Sequence, residues 1–89
     1  MNELRRSKQF EKNFKKRISP HKKLVIQFEE RLDLFISGVT DSPINDHALV
    51  GELKGKRSFS VTSDIRVIYV DIDGLVIFMD IGTHNQVYK

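Results

Sequence analysis

The apolar residues of this chain keep two different periods, and the change between them fixes the fold class. Phe10, Phe14 and Ile18 recur at i, i+4 and i+8, the spacing of one stripe along a helix. Ser7 stands ahead of that stripe as an N-cap, and Leu4 to Arg6 predicts a short first strand. Ser19-Pro20 restarts the helical pattern, with Ser as N-cap and Pro at the first helical position, where its missing N–H costs nothing. Leu24, Val25, Phe28, Leu32, Phe35 and Ile36 form a second stripe, which ends near Ser37 with Gly38 closing the helix. His21 then falls in the first turn of the second helix and reads as a solvated helix-start residue.

From Arg57 onward the pattern is that of strands. RSFSV, IRVIYV and LVIFMDI read as three strands in succession. Asp71-Ile72-Asp73-Gly74 joins the last two as a tight hairpin, and Ser63-Asp64 turns the chain between the first two. Val39 to Asn45 is a linker with Asp-Ser-Pro turn chemistry, and Asp46 to Leu53 keeps no clean period. The order strand, helix, helix, strand, strand, strand predicts an α+β fold. Two N-terminal helices pack on one face of a small, mostly antiparallel sheet. The other face is left free, and a free polar face is where a ligand goes. A chain of 89 residues makes one domain, 1–89, with too small a core for a large internal cavity.

Composition removes several classes of function. The chain has no cysteine, which excludes disulfides and thiolate metal sites and suits a reducing cytoplasm. Its longest apolar run, LVIFM, is far short of the ~18 residues of a spanning helix, so no membrane association is expected. The N-terminus has charge but no apolar stretch of the secretory kind. Fifteen Lys plus Arg against twelve Asp plus Glu give a formal charge of +3. The excess is uneven: the basic residues crowd the segment up to Lys23, where Glu3 and Glu11 are the only acids. Such a face suits solvent, a phosphate backbone or an acidic protein partner.

The residues that carry chemistry lie near the predicted strand ends. There is no HExxH, no EF-hand loop and no nucleophile elbow, and GELKG lacks the following helix of a phosphate-cradling loop. What remains is a polar set: Asp46, His47, Arg57, Ser60, Asp64, Arg66 and His84. Asp64 and Arg66 share one face by strand alternation. Arg66 interrupts an otherwise apolar run. Gly82 predicts a sharp backbone turn that holds His84 at the sheet rim. Taken singly, each residue has a plain structural reading: a solvent-facing arginine, an Asp46–His47 surface hydrogen bond, a turn histidine. Together they offer two proton carriers, a carboxylate and guanidinium groups, with no cofactor and no metal. That inventory matches phosphodiester cleavage in RNA, where a base takes the 2′-OH proton, a cation stabilises the phosphorane and an acid protonates the leaving oxygen.

DHALVG, KGKRSFSVTSDIRVIYV and LVIFMDIGTH together resemble the YafQ branch of the RelE/ParE toxin superfamily, and the likeness runs over the whole chain. The resemblance implies a RelE-like β-α-α-β-β-β fold and a ribosome-dependent mRNA endonuclease neutralised by a cognate antitoxin. It carries the site onto His47, Asp64 and His84. Ser60 stands where the branch has a further histidine, so a hydroxyl replaces a proton carrier there. Arg66 matches an arginine by which RelE-like and YoeB-like relatives contact the reacting phosphate. On this basis His84 is the expected general acid and His47 the general base, with Asp64 positioning the base or sharing its role. Arg66 and Arg57 are the expected cations at the phosphorane, and Ser60 a phosphate contact. Lys12, Lys15 and Lys16 of the first helix, with Lys54 and Lys56 of GELKGK, are expected to grip ribosomal RNA. Two rivals stay open: a ParE-like toxin that inhibits a topoisomerase without catalysis, and an inactive relic that only binds an antitoxin.

Overall fold

The computed structural model describes residues 1–88. Its elements follow in the order β1 (Glu3–Arg6), α1 (Lys8–Arg17), α2 (Lys22–Ile36), β2 (His47–Ala48), a 3₁₀ turn (Gly51–Leu53), β3 (Arg57–Ser60), β4 (Ile65–Ile72), β5 (Leu75–Thr83) and α3 (His84–Val87). The strands form one sheet ordered β1-β5-β4-β3-β2. Every pairing is antiparallel except that of β1, which runs parallel to β5 at the edge. The expected α+β order is present, with β2 and α3 as two short additions.

Local chemistry explains most of the element ends. The Ser7 hydroxyl accepts the Phe10 N–H at 3.0 Å and donates to the Met79 carbonyl at 3.1 Å, so it caps α1 and ties it to β5. Gly38, at φ +89°, closes α2, with its N–H on the Phe35 carbonyl and that of Val39 on Leu34. Asp73 and Gly74 both have positive φ and form the two-residue loop of the β4–β5 hairpin, with Ile72 facing Leu75. The start of α2 differs from expectation. His21, not Ser19, occupies the N-cap. The Ser19 and His21 N–H groups bond back to Phe14 and Ile18, so Ser19-Pro20 is used in the turn that leaves α1.

Alternation along the strands separates the two faces. Phe59, Val67, Tyr69 and Phe78 point to the helices and are buried with Phe10, Phe28, Ile18 and Ile44. Phe35 of α2 stacks on Phe59 with ring centroids 4.6 Å apart and meets Tyr69 edge-on at 5.0 Å. Phe10 of α1 lies 5.4 Å from Phe78. At a bulge, Ile68 pairs with Asp80 and Tyr69 with Phe78, leaving Met79 as the extra residue. Beside it, Asp80 accepts from Asn13 at 2.7 Å and from Arg17 at 3.4 Å, fastening α1 to β5 where β1 has ended.

The opposite face is not left bare. Tyr88 follows α3 back over it and donates its O–H to Ser58 at 3.0 Å. The Leu49–Leu53 segment rises on the other side, and a groove remains between the two.

Candidate functional site

A cavity of about 330 Å³ lies on the helix-free face, lined by His47, Leu49, Val50, Leu53, Arg66, His84 and Tyr88. Three of the four residues expected to carry catalysis, His47, Arg66 and His84, meet here. Each reaches the groove from a different element.

His47 opens β2 and pairs with Ser58 of β3. Its neighbour Asp46 points the other way, toward the helices, as alternation requires. The Asp46 carboxylate is nearly buried, with 8% of its side chain exposed. It accepts the Tyr69 O–H at 2.7 and 2.6 Å on its two oxygens and the Arg57 N–H at 3.3 Å. Burial, then the hydrogen bond to Asp46, pushes the Tyr69 phenol well above its ordinary range. The Arg57 guanidinium is also held above its usual value, first by its bond to Tyr69. The expected Asp46–His47 bond is therefore absent. His47 Nδ1 instead lies 2.8 Å from the Asn45 carbonyl. A carbonyl only accepts, so Nδ1 carries the proton and Nε2 of the neutral ring keeps a lone pair.

Arg66 sits on β4 between Ser60 of β3 and Gly82 of β5. Its Nε is buried and has no hydrogen-bond acceptor. Among the described residues, no carboxylate lies within ion-pair distance of it. A buried donor on a cation without a partner is costly; Arg66 as a whole is half-buried and lines the groove, so its charge, rather than the enclosed Nε, is what an anion there would meet.

His84 is the first residue of α3, not a turn residue. Thr83 caps that helix: its hydroxyl accepts the Gln86 N–H at 3.4 Å, and the Gln86 side chain accepts the Thr83 N–H at 2.8 Å. The His84 ring is exposed and packs edge-on to Tyr88 with centroids 4.4 Å apart. Gly82 makes no sharp turn. It lies within β5, outside the left-handed region. Its lack of a side chain serves a close approach: an added Cβ would come within 2.6 Å of Gln86 Oε1 and 2.7 Å of Arg17 Nη1.

The remaining expected residues fall outside this groove. Asp64 precedes β4 in the turn and does not share its register with Arg66. It borders a separate depression of about 310 Å³ with Ser63, Thr83, His84 and Asn85. Arg57 lies on the helix side of the sheet, engaged by Asp46 and Tyr69, so the groove receives one arginine rather than two. Ser60 lines a second, neighbouring cavity. Lys54 is exposed and Lys56 half-buried just beyond Leu53, and Lys12, Lys15 and Lys16 are exposed on α1, across the sheet from the groove. Leu49, Val50, Leu53 and Tyr88 escaped the reading from sequence. The first three belong to a segment without periodicity. Tyr88 stands four residues after His84, the spacing of one helical turn, which is a usable signal.

Two helices over one face of a five-stranded, mostly antiparallel sheet are the fold of RelE-like toxins. The YoeB–YefM complex from Staphylococcus aureus, 20% identical over 94% of this chain and 98% of that one, has the same fold with a TM-score of 0.71. Residues 2–89 match the family described as bacterial toxin of type II toxin-antitoxin system, YafQ, and the chain belongs to that family. Among solved structures, YafQ from E. coli strain BL21(DE3) is 27% identical over the full length of both chains, with a TM-score of 0.82. The E. coli DinJ–YafQ complex contains a chain 28% identical, also over the full length of both, with a TM-score of 0.80. No curated protein sequence matches significantly.

Proposed function

We propose that this toxin is a ribosome-dependent mRNA endonuclease that cleaves without a metal ion. The observation that carries the reading is Arg66, half-buried and without a carboxylate partner among the described residues, in a groove that two histidines share. A phosphodiester seated on Arg66 meets its unpaired charge and puts the reacting phosphate between His47 and His84. His47, with its proton on Nδ1, presents the Nε2 lone pair to the 2′-OH. The 2′ oxygen attacks the adjacent phosphorus as its proton passes to His47. Arg66 neutralises the charge that builds on the phosphorane oxygens. His84, as imidazolium, gives its proton to the departing 5′ oxygen. The products are a 2′,3′-cyclic phosphate and a 5′-OH. Asp64, which lines a depression together with His84, takes a positioning role toward the acid rather than the base.

The apolar Leu49–Leu53 wall and the Tyr88 ring suit a nucleobase beside the reacting phosphate. Arg57, held by Asp46 and Tyr69, acts on the His47 loop and not on the phosphate. The action is cytoplasmic, where ribosomes and mRNA are found, and a cognate antitoxin neutralises it, as the DinJ–YafQ complex suggests for its own pair.

Mapping the RNA ends after incubation with ribosome-bound mRNA tests the chemistry. We expect 5′-OH and cyclic-phosphate termini, and no cut at a position whose 2′-OH is replaced by hydrogen. Efficient cleavage at the 2′-deoxy position would end the proposal. Growth arrest with intact mRNA and an inhibited topoisomerase would put the chain with ParE-like toxins instead.

A further inference from the structure

The groove does not end at Arg66. A second cavity of about 440 Å³ continues from it around the end of the sheet, lined by Arg31, Ser42, Pro43, Asn45, Ser60, Thr62, Ser63 and Arg66. Arg66 thus borders both spaces. The second differs in character from the first. Where the first has an apolar wall, this one presents two arginines and four hydroxyl-bearing residues, Ser42, Ser60, Thr62 and Ser63.

Arg31 is out of place for a plain surface arginine. It lies three residues after Phe28 and four before Phe35, on the stripe of α2 that faces the sheet. Phe28 is buried, Phe35 stacks on Phe59, and Arg31 itself is half-buried. Its helical neighbours at i±3 and i±4 are Phe28, Leu34, Gln27 and Phe35, so the helix supplies no carboxylate. Among the described residues it forms no ion pair and no hydrogen bond within the chain. The loop opposite is firmly seated: Ile44 is fully buried, and its carbonyl accepts the Ser60 N–H at 2.8 Å. Two unpaired arginines therefore face one preformed polar space, with acceptors supplied by neither wall as carboxylates.

We infer that this second cavity binds the phosphate next to the reacting one along the RNA strand, with Arg31 as its charged contact and the hydroxyl cluster around it. The inference rests on the proposed RNA cleavage for its ligand class. A strand whose reacting phosphate sits on Arg66 must leave the groove somewhere, and this is the charged exit. Ser60 then acts here as a phosphate contact, one step removed from proton transfer. Arg31 is a specificity and positioning residue, not a catalytic one.

Binding of short, uncleavable 2′-deoxy oligonucleotides to the free full-length toxin tests this directly. A trinucleotide with two internucleotide phosphates should bind roughly three- to tenfold tighter than a dinucleotide with one. Arg31→Gln should abolish that gain, leave dinucleotide affinity unchanged and lower the salt slope for the trinucleotide by about 0.7. Arg31→Lys should restore part of the gain. An uncharged methylphosphonate at the second link should mimic Arg31→Gln on the unaltered protein, which removes any dependence on how the variant folds. The proposal is overturned if the second phosphate adds nothing, or if the methylphosphonate costs wild type and Arg31→Gln equally. It is overturned too if an acidic peptide displaces the trinucleotide at lower concentration than free trinucleotide does, since the cavity would then be a protein-docking site. Because these measurements need no cleavage, a toxin that binds both phosphates but never cuts mRNA would refute the proposed activity and leave this site standing.

Discussion

At the scale of single residues, the proposed mechanism gives His84 and Tyr69 different parts, one in proton transfer and one in support. His84 is exposed at the start of α3, and no other side chain depends on its ring except through the Tyr88 contact. His84→Gln keeps size and hydrogen bonding but loses the transferable proton. A positioned acid contributes roughly 10²–10⁴-fold in rate. We expect the variant to melt like wild type and to cut ribosome-bound mRNA slower by at least the lower bound. His21→Gln, at the N-cap of α2 where the histidine side chain makes no capping bond, should cut at the normal rate. Full toxicity in His84→Gln would remove the residue from the mechanism. Tyr69 works in the opposite way. Its hydroxyl satisfies the buried Asp46 carboxylate that anchors the His47 loop. Tyr69→Phe leaves that carboxylate with the long Arg57 contact alone, at a cost of about 1–3 kcal/mol. The phenol also sets a sign for alkaline stability. Its folded-state pKa is raised, so the unfolded chain ionises first, near pH 10. The stabilisation is complete below that pH and lost as pH rises through the folded value. Urea unfolding at pH 8 and pH 11 should therefore show a larger loss in wild type than in Tyr69→Phe. Equal losses would mean that the hydroxyl does not carry this coupling.

At the scale of elements, α3 shows how four residues hold a helical turn that their length alone does not stabilise. The capping box of Thr83 and Gln86, the buried Val87 and the Tyr88–Ser58 bond fix it to the sheet. Gly82 leaves room for this: Gln86 and Arg17 both pass over it. We expect Gly82→Ala to push these side-chain ends aside, since both are flexible, and to cost on the order of 1 kcal/mol. Backbone amide exchange over His84–Val87 should quicken more than in the centre of β4. Unchanged exchange there would show that the cap tolerates the methyl. The same element marks what could be read from the sequence. The helical stripes, the β4–β5 hairpin and the Ser7 and Gly38 boundaries were legible because each is set by local spacing or local chemistry. β2 was not, because its pairing with β3 defines it; α3 was not, because four residues carry too short a pattern despite a local capping box; and the start of α2 was misplaced because Ser19-Pro20 serves the turn that leaves α1. For the site, residue types were legible and directions were not. His47 and Asp46 are adjacent in sequence yet face opposite sides of the sheet, and Asp64 lies one residue outside the strand whose alternation would have placed it beside Arg66. Arg31 was hidden because a half-buried arginine on an apolar stripe passes, in sequence, for a solvated helix residue.

At the scale of the whole molecule, charge and groove lie on different sides. The groove opens on the helix-free face, while Lys12, Lys15 and Lys16 are exposed on α1 across the sheet. A ligand confined to the groove never meets them. On the proposed ribosome-dependent activity, the protein is touched by RNA from more than one side, and the net charge of +3 has then a use that cleavage of free RNA would not require. The two basic groups can be told apart. Replacing Lys12, Lys15 and Lys16 by Gln should weaken ribosome binding and reduce its salt slope by up to about 3, since each displaced counterion contributes close to one. It should leave the fold intact, because these side chains are solvent-exposed, and leave the cleavage rate on saturated ribosomes near wild type. Replacing Lys54 and Lys56, which follow the groove-lining Leu53 closely in the chain, should lower both ribosome affinity and the rate at saturation, because they stand next to the groove on the side an RNA strand would approach. Stopped-flow binding over a salt series, with single-turnover cleavage alongside, measures both quantities on the same samples. An unchanged salt slope in the triple variant would make the α1 lysines a solvated face, and the ribosome contact would have to lie with the groove side alone.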